Sequence, residues 1–264
     1  MDVFHRLTSL WKIEYKIETK EPFITQAVSE EVKRLVEDKI DREIPKTSLD
    51  AVPLLIEGRA VITGNAAKGV FRHVISAQLT EAGHRVCVQD VKIERGEAPP
   101  EGRKRQCDPG EPCFVCKWFG TASRQGALHF SFLKSVKSVD EGILVEEPFP
   151  MVALRDDTRA VARRAFLLVA PVRAGVEFRG WIKGENLEHE IIGAIKEVQD
   201  MSREGFLQFG AFKTRGMGAV EMEILRVCEF QTVPFELKNE YEGRELEAFL
   251  RDAQEKYHRF LRSK

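Results

Sequence analysis

Cys107, Cys113 and Cys116 stand in C-x5-C-x2-C spacing inside CDPGEPCFVC. The close pair is the usual geometry of one corner of a zinc site, and three thiolates call for a fourth ligand. Reduced thiols in a loop are the plain alternative. A second chemical stretch is GFLQFGAFKTRGMG, Gly205 to Gly218. It approaches the phosphate loop of nucleotide hydrolases, but Ala211 and Phe212 separate Gly210 from Lys213. That motif needs its lysine directly after the last glycine. The flanks are reversed as well: a helical pattern precedes the loop and an alternating one follows, so no helix N-terminus faces it. These departures argue against an NTPase. Gly210, Gly216 and Gly218 instead allow positive φ and close backbone approach. Exposed N–H groups beside Lys213 and Arg215 suit a phosphodiester, which cations position without reading sequence. A tight connector with solvated charges is the alternative there.

Three further stretches carry charge in a pattern. In ITGNAAKGVFRH, Gly64 and Asn65 lead into a helix on which Lys68 and Arg72 stand four apart on one face. A helix start with a nearby cation favours a phosphate. RDDTRAVARR supplies Arg155, Arg159, Arg163 and Arg164, which fit a polymer of phosphates or pair with Asp156 and Asp157. Asp50, in SLDAVPLLIEGR, is by residue type a turn aspartate before a strand.

The chain as a whole limits what these residues can be doing. With 264 residues, 43% hydrophobic and 31% charged, it is a globular protein with room for one elaborated core. A net charge of −1 argues against a surface coated in nucleic acid and leaves room for a local basic groove, since cations gather in EGRKRQ, TRAVARR and FKTRG. No apolar run reaches spanning length, and charges interrupt MDVFHRLTSLWKIEYKI before it can act as a signal peptide. A cytoplasmic location without membrane contact is expected. There the five cysteines are thiols or metal ligands rather than a disulfide framework, with Cys228 a buried filler.

The elements that must position these groups follow from periodicity. KIEYKIETKEPF alternates as a strand, and SEEVKRLVEDKIDREI carries Val32, Leu35, Val36 and Ile40 at helical spacing. AAKGVFRHVISAQLTEAG is a helix, ALHFSFLKSV a strand, and MVALRDDTRAVARRAFLLVAPV a projecting hairpin. GVEFRGWIKGEN is a strand, followed by the helix of ENLEHEIIGAIKEVQDM, the glycine-rich loop and the strand AVEMEILRV. The C-terminal YEGRELEAFLRDAQEKYHRFL is amphipathic. Without insertions the order is strand, helix, strand, strand, helix, strand, the split-βαβ or ferredoxin-like pattern of an α+β fold. The expected layout is a single domain over residues 1–264. Its core falls at 12–20, 60–86, 126–136 and 172–228, with a helical insertion at 26–46, a cysteine-bearing zinc loop at 87–125, a β-hairpin at 148–171 and a C-terminal helix at 240–262.

Four segments, in order across roughly residues 60–228, resemble the RAMP superfamily of CRISPR-associated proteins. They are ITGNAAKGVFRH, CDPGEPCFVCKWFG, VALRDDTRAVARRAFLLVAPVRAGVEFRGWIKGEN and GAFKTRGMG. The likeness is to the backbone subunits of type III effector complexes in particular. It implies binding of guide RNA and complementary target RNA, in a ribonucleoprotein with other subunits, including copies or paralogues of this chain. It implies that Lys68, Arg72, Lys213 and Arg215 hold RNA phosphates along one cationic track, and that Arg155 and Arg159 belong to a hairpin leaning over the RNA. By analogy it makes His73 the fourth ligand of a structural zinc, with Cys87 or His84 as substitutes. It places Asp50 where catalytic members carry an aspartate for cleavage of target RNA with Mg²⁺ or another divalent cation, although SEEVKRLVEDKIDREI inserts a helix upstream. Two other readings stay open: a stand-alone CRISPR RNA-processing ribonuclease, which would use a histidine as acid or base, and a non-catalytic zinc scaffold.

Overall fold

Strand β1 (Ser9–Thr19) sorts its residues by the period of two that a strand imposes. Trp11, Ile13, Tyr15, Ile17 and Thr19 are buried, while Lys12, Glu14, Lys16 and Glu18 face the other way. The computed structural model describes residues 6–25, 30–40, 49–87, 107, 110–121, 124–154 and 161–263, with backbone only at 153, 154 and 161–166. In it β1 lies between β8 (Glu177–Glu185) and β9 (Val220–Thr232), antiparallel to both. Outside β9 is β10 (Phe235–Tyr241). Outside β8 come β4 (Leu128–Phe130) and β5 (Leu133–Ser135), then β3 (Arg59–Ile62) and β2 (Leu55–Ile56). The sheet is thus antiparallel in a mixed α/β fold. A separate hairpin pairs β6 (Phe149–Leu154) with β7 (Val161–Val169).

Helices cover the apolar face of the sheet. Helix α2 (Gly64–Glu81) buries Ala67, Phe71, Ile75 and Leu79, one stripe at i, i+4 spacing. The Phe71 ring meets Tyr15 of β1 edge-on at 6.1 Å. Helix α4 (His189–Arg203) buries Ile191, Ile192, Ile195 and Val198, and α5 (Gly243–Arg262) packs on it through Leu246, Phe249, Leu250 and Ala253. Helix α1 (Glu30–Lys39) adds Val36 to the core, and α3 (Phe114–Phe119) lies within the cysteine-bearing segment.

Two polar side chains of α4 are buried for a reason that periodicity does not reveal. Strand β10 pairs with β9 only as far as Val227, so earlier β9 amides have no strand partner on that side. Gln199 Oε1 accepts the Ile224 N–H and Ser202 Oγ accepts the Met222 N–H, each at 2.8 Å. The helix thereby satisfies buried backbone donors that would otherwise cost free energy.

The opposite face of the sheet is a lattice of ion pairs. Arg226 reaches Glu14 and Glu240, Lys16 reaches Glu223, and Lys20 reaches Glu18 and Glu221. Trp181 is capped by the Lys183 ammonium, 4.5 Å from its ring. Exposed pairs of this kind contribute little stability, but they leave few unmatched charges among the described residues there. This face is not where a polyanion is best received.

Candidate nucleic-acid interface and thiol cluster

The burial of one stripe of α2 decides what its other face presents. Thr63 caps the helix, its Oγ1 accepting the Ala66 N–H at 3.2 Å. Asn65, Lys68, Arg72, His73, Ser76, Thr80 and the carboxylate Glu81 then line an open groove of about 830 Å³, completed by Val86, Cys87, Phe119, Gly120 and Thr121. Among the described residues no carboxylate lies within ion-pair distance of Lys68 or Arg72. Partial burial, with the Arg72 charge beside it, holds the Lys68 ammonium below its ordinary pKa. An anion entering the groove relieves both penalties, and Asn65, Ser76 and Thr80 add uncharged polar groups that can hydrogen-bond phosphate or ribose.

One wall of the groove ends in a cluster of sulfur atoms. The Sγ atoms of Cys87, Cys107, Cys113 and Cys116 all lie within 4.8 Å of one another, and all but Cys113 are buried. Four thiolates around zinc, with Zn–S near 2.3 Å, would sit about 3.8 Å apart, so the described positions need only small adjustments to hold a metal ion. Cys87 Sγ is 2.8 Å from Cys116 Sγ, and the Cys113 amide donates to Cys107 Sγ at 3.3 Å. The hydrogen bond from Cys116 pulls the Cys113 thiol down to about 4, the same contact pushes Cys116 up, and burial pushes Cys87 up. A set of thiols sharing protons in this way is a soft donor group in which a cation takes the place of the protons.

The fourth member corrects an expectation. His73 is exposed on α2 and lines the groove, and it is not in the sulfur group. Cys87 occupies that place because the chain turns back after α2 and returns beside α3. His84 is also elsewhere: its ring stacks on Phe260 at 4.6 Å. Cys228 is buried in β9, away from the cluster.

A second region forms where distant segments share a small core. Ile24, Ala51, Val169 and Met217 are buried together, with Phe149, Met151, Leu167, Ala211 and Phe212 packed on them. This core joins the turn bearing Asp50, the base of the β6–β7 hairpin and the glycine-rich loop. Asp50 is exposed, its Oδ2 accepts the Leu168 N–H at 2.7 Å, and its own N–H donates to the Leu168 carbonyl at 2.8 Å. The carboxylate is therefore fixed against the hairpin while its edge faces solvent. Lys213 and Arg215 form an exposed 3-10 turn at the loop tip, with the Arg215 guanidinium 5.9 Å from the Phe212 ring.

The glycines of that loop serve the chain more than a ligand. Gly210 has φ +79°, and a Cβ there would lie 2.2 Å from the Ile24 carbonyl oxygen. Gly218 has φ +92°, and its Cβ would lie 2.2 Å from the Phe209 carbonyl oxygen. At both positions the protein's own backbone fills the space a Cβ would take, so the chain itself requires glycine there. Gly216, at φ +75°, has open space around it. Arg155 and Arg159 lie outside the described residues. Among the described residues none of Gly205–Gly218 lines the groove along α2.

Fold and site together define an antiparallel-sheet protein with phosphate-suited surfaces and a cluster able to hold a metal ion. A family model for the RAMP superfamily matches residues 16–221, and the chain belongs to that superfamily. Its members are CRISPR-associated proteins that generally bind CRISPR RNA and act in multi-subunit complexes. No curated protein matches the chain. Among the described residues no helix is long and apolar enough to cross a membrane.

Proposed function

We propose that this protein is a guide-RNA-binding backbone subunit of a type III CRISPR interference complex. In this reading Asp50 supports divalent-metal-dependent cleavage of bound target RNA. The observation that carries it is the shared core of Ile24, Ala51, Val169 and Met217, which brings Asp50, the hairpin base and the Lys213–Arg215 turn to one place. The strand order β9-β1-β8-β5, with α2 and α4 as the connecting helices, supports a ferredoxin-like core. The groove cations Lys68 and Arg72 hold the guide backbone, and the β6–β7 hairpin, with Arg155 and Arg159, leans over it. Further subunits, copies or paralogues of this chain, continue the assembly in the cytoplasm.

The chemistry asked of Asp50 is modest. Asp50 would hold a divalent cation at its free edge, and the ion would supply charge neutralisation on the phosphate oxygens. The ribose 2′-hydroxyl attacks the adjacent phosphorus in line and gives its proton to water, and the 5′-oxygen leaves and takes a proton from water, so a 2′,3′-cyclic phosphate and a 5′-hydroxyl are formed. The chain's own part is to hold Asp50 through Leu168 and the RNA strand through Lys213 and Arg215. Zinc suits the four thiols by donor type, and its role is structural because the set leaves no position for substrate.

The test is cleavage of complementary RNA by the assembled complex in Mg²⁺. Asp50→Ala should abolish cutting and leave RNA binding intact, and cutting that survives this substitution refutes the assignment. One observation favours a second reading: His73 is exposed inside the groove beside Lys68 and Arg72. Metal-independent cleavage of repeat RNA by the isolated chain, lost in His73→Ala, would mark a processing ribonuclease instead.

A further inference from the structure

The thiol cluster adjoins the end of the C-terminal helix as well as the groove. His84 stands three residues before Cys87. Its ring stacks on Phe260, and its Nε2 is 3.2 Å from the Leu261 carbonyl, which can only accept, so Nε2–H donates. Phe114, next to Cys113, stacks on Phe260 at 5.0 Å and lies 6.2 Å from the buried Tyr257. The Tyr257 hydroxyl donates to Gln78 Oε1 of α2 at 3.2 Å. The last turn of α5 thus rests on residues that flank the thiols. Its earlier turns rest on α4, and on β1 through the Phe249–Trp11 stack at 6.2 Å.

The end of α5 therefore has a different support from the rest. As far as His258 the helix is held by the apolar core and by bonds to α4, Gln254 and His258 both reaching Glu197. Phe260 and Leu261, in its last turn, rest on His84 and Phe114. Helix α3, which starts at Phe114, has six residues, far too few to be stable alone. Val115, Trp118 and Phe119 seat it in the core, and Cys113 and Cys116 tie its first turn, with Phe114, to Cys87 and Cys107.

We propose that a metal ion held by the four thiols fastens the C-terminal end of α5, so that its loss releases the last turn while the rest of the helix stays docked. The proposal rests on the metal reading above and adds a mechanical consequence to it. Local opening of this kind is read by hydrogen exchange, since segments open with free energies below that of global unfolding.

Exchange is measured on the full chain as purified and after stripping with a chelator, with metal content determined on both samples. Amides at 259–262 should exchange at least about tenfold faster after stripping, with 244–257 unchanged, as expected for sub-global opening. Unchanged exchange at 259–262 once the metal is gone, or acceleration throughout the chain, overturns the proposal. A purified chain without metal would sink the metal reading itself, which the content assay distinguishes from failure of the fastening. Phe260→Ala approaches from the other side: the same amides should loosen while metal content is unchanged. Full protection in that variant, or loss of its metal, would show that the seam does not work in the direction proposed.

Discussion

The groove along α2 and the small core beneath Asp50 position cations in opposite ways. Lys68 and Arg72 are neighbours in sequence, placed by one helix whose buried stripe fixes what its other face shows. Asp50, Lys213 and the hairpin base are separated by more than a hundred residues in places, and a handful of apolar side chains brings them together. The first region is made by local periodicity and closed by a cluster of thiols. The second has no such staple, and its geometry depends on long-range packing of Ile24, Ala51, Val169 and Met217. A surface of the first kind tolerates change one residue at a time, whereas one of the second kind should fail as a unit.

The largest expected effect breaks the comparison at its chemical end. Asp50→Ala should reduce target-RNA cleavage by at least about a hundredfold, the scale of losing a metal-positioning carboxylate, with affinity for guide RNA unchanged. Single-turnover cleavage beside filter binding checks both halves. Next comes the packing that carries Asp50. Met217 is 2% exposed, and Met217→Ala should cost about 2–5 kcal/mol in a denaturant titration. It should also weaken cleavage although Met217 touches no substrate, and full cleavage in a destabilised variant would show that the shared core does not position the site.

The groove should respond differently. On the proposed reading Lys68→Ala combined with Arg72→Ala removes two phosphate contacts, so affinity for single-stranded RNA should fall about tenfold. The slope of log affinity against log salt should become shallower by roughly one to one and a half, from the counterions no longer released. Cleavage at saturating RNA should persist. An unchanged salt slope would mean that these cations do not meet the backbone, and that the two regions are not a division of labour.

Sequence patterns made some of this legible. The alternation of SLWKIEYKIET defines β1, and the spacing of Leu246, Phe249, Leu250 and Ala253 defines the buried stripe of α5, because both depend only on local period. Strand β10 was hidden, since FELKNEY is exposed along almost its whole length and shows no buried face. Gln199 and Ser202 look like breaks in an apolar stripe, and their purpose appears only with the unpaired amides of β9 beside them. The three spaced cysteines marked the cluster, but its fourth member depends on where the chain returns after α2, which no spacing rule contains. Gly210 and Gly218 were conspicuous in sequence. The atoms that require them, the carbonyls of Ile24 and Phe209, are found only in three dimensions.

The smallest effect sharpens the comparison most finely, because it separates Lys68 from the fully exposed cations of the loop. Burial and the Arg72 charge both disfavour the protonated form of Lys68, so its pKa is lowered from 10.5. As pH rises above neutral, Lys68 therefore loses its charge before an ordinary lysine does. Bound phosphate favours the ammonium and draws the pKa back up, so RNA binding is linked to proton retention and affinity should fall with rising pH. The drop should be a few-fold, as expected when one of several phosphate contacts is weakened, and it should begin below the range where other lysines titrate. Lys68→Arg keeps a permanent charge at the same place and should flatten the profile while leaving affinity at neutral pH nearly unchanged. A profile that stays the same in the arginine variant would assign the pH dependence to another group, and would remove the evidence that Lys68 faces the RNA.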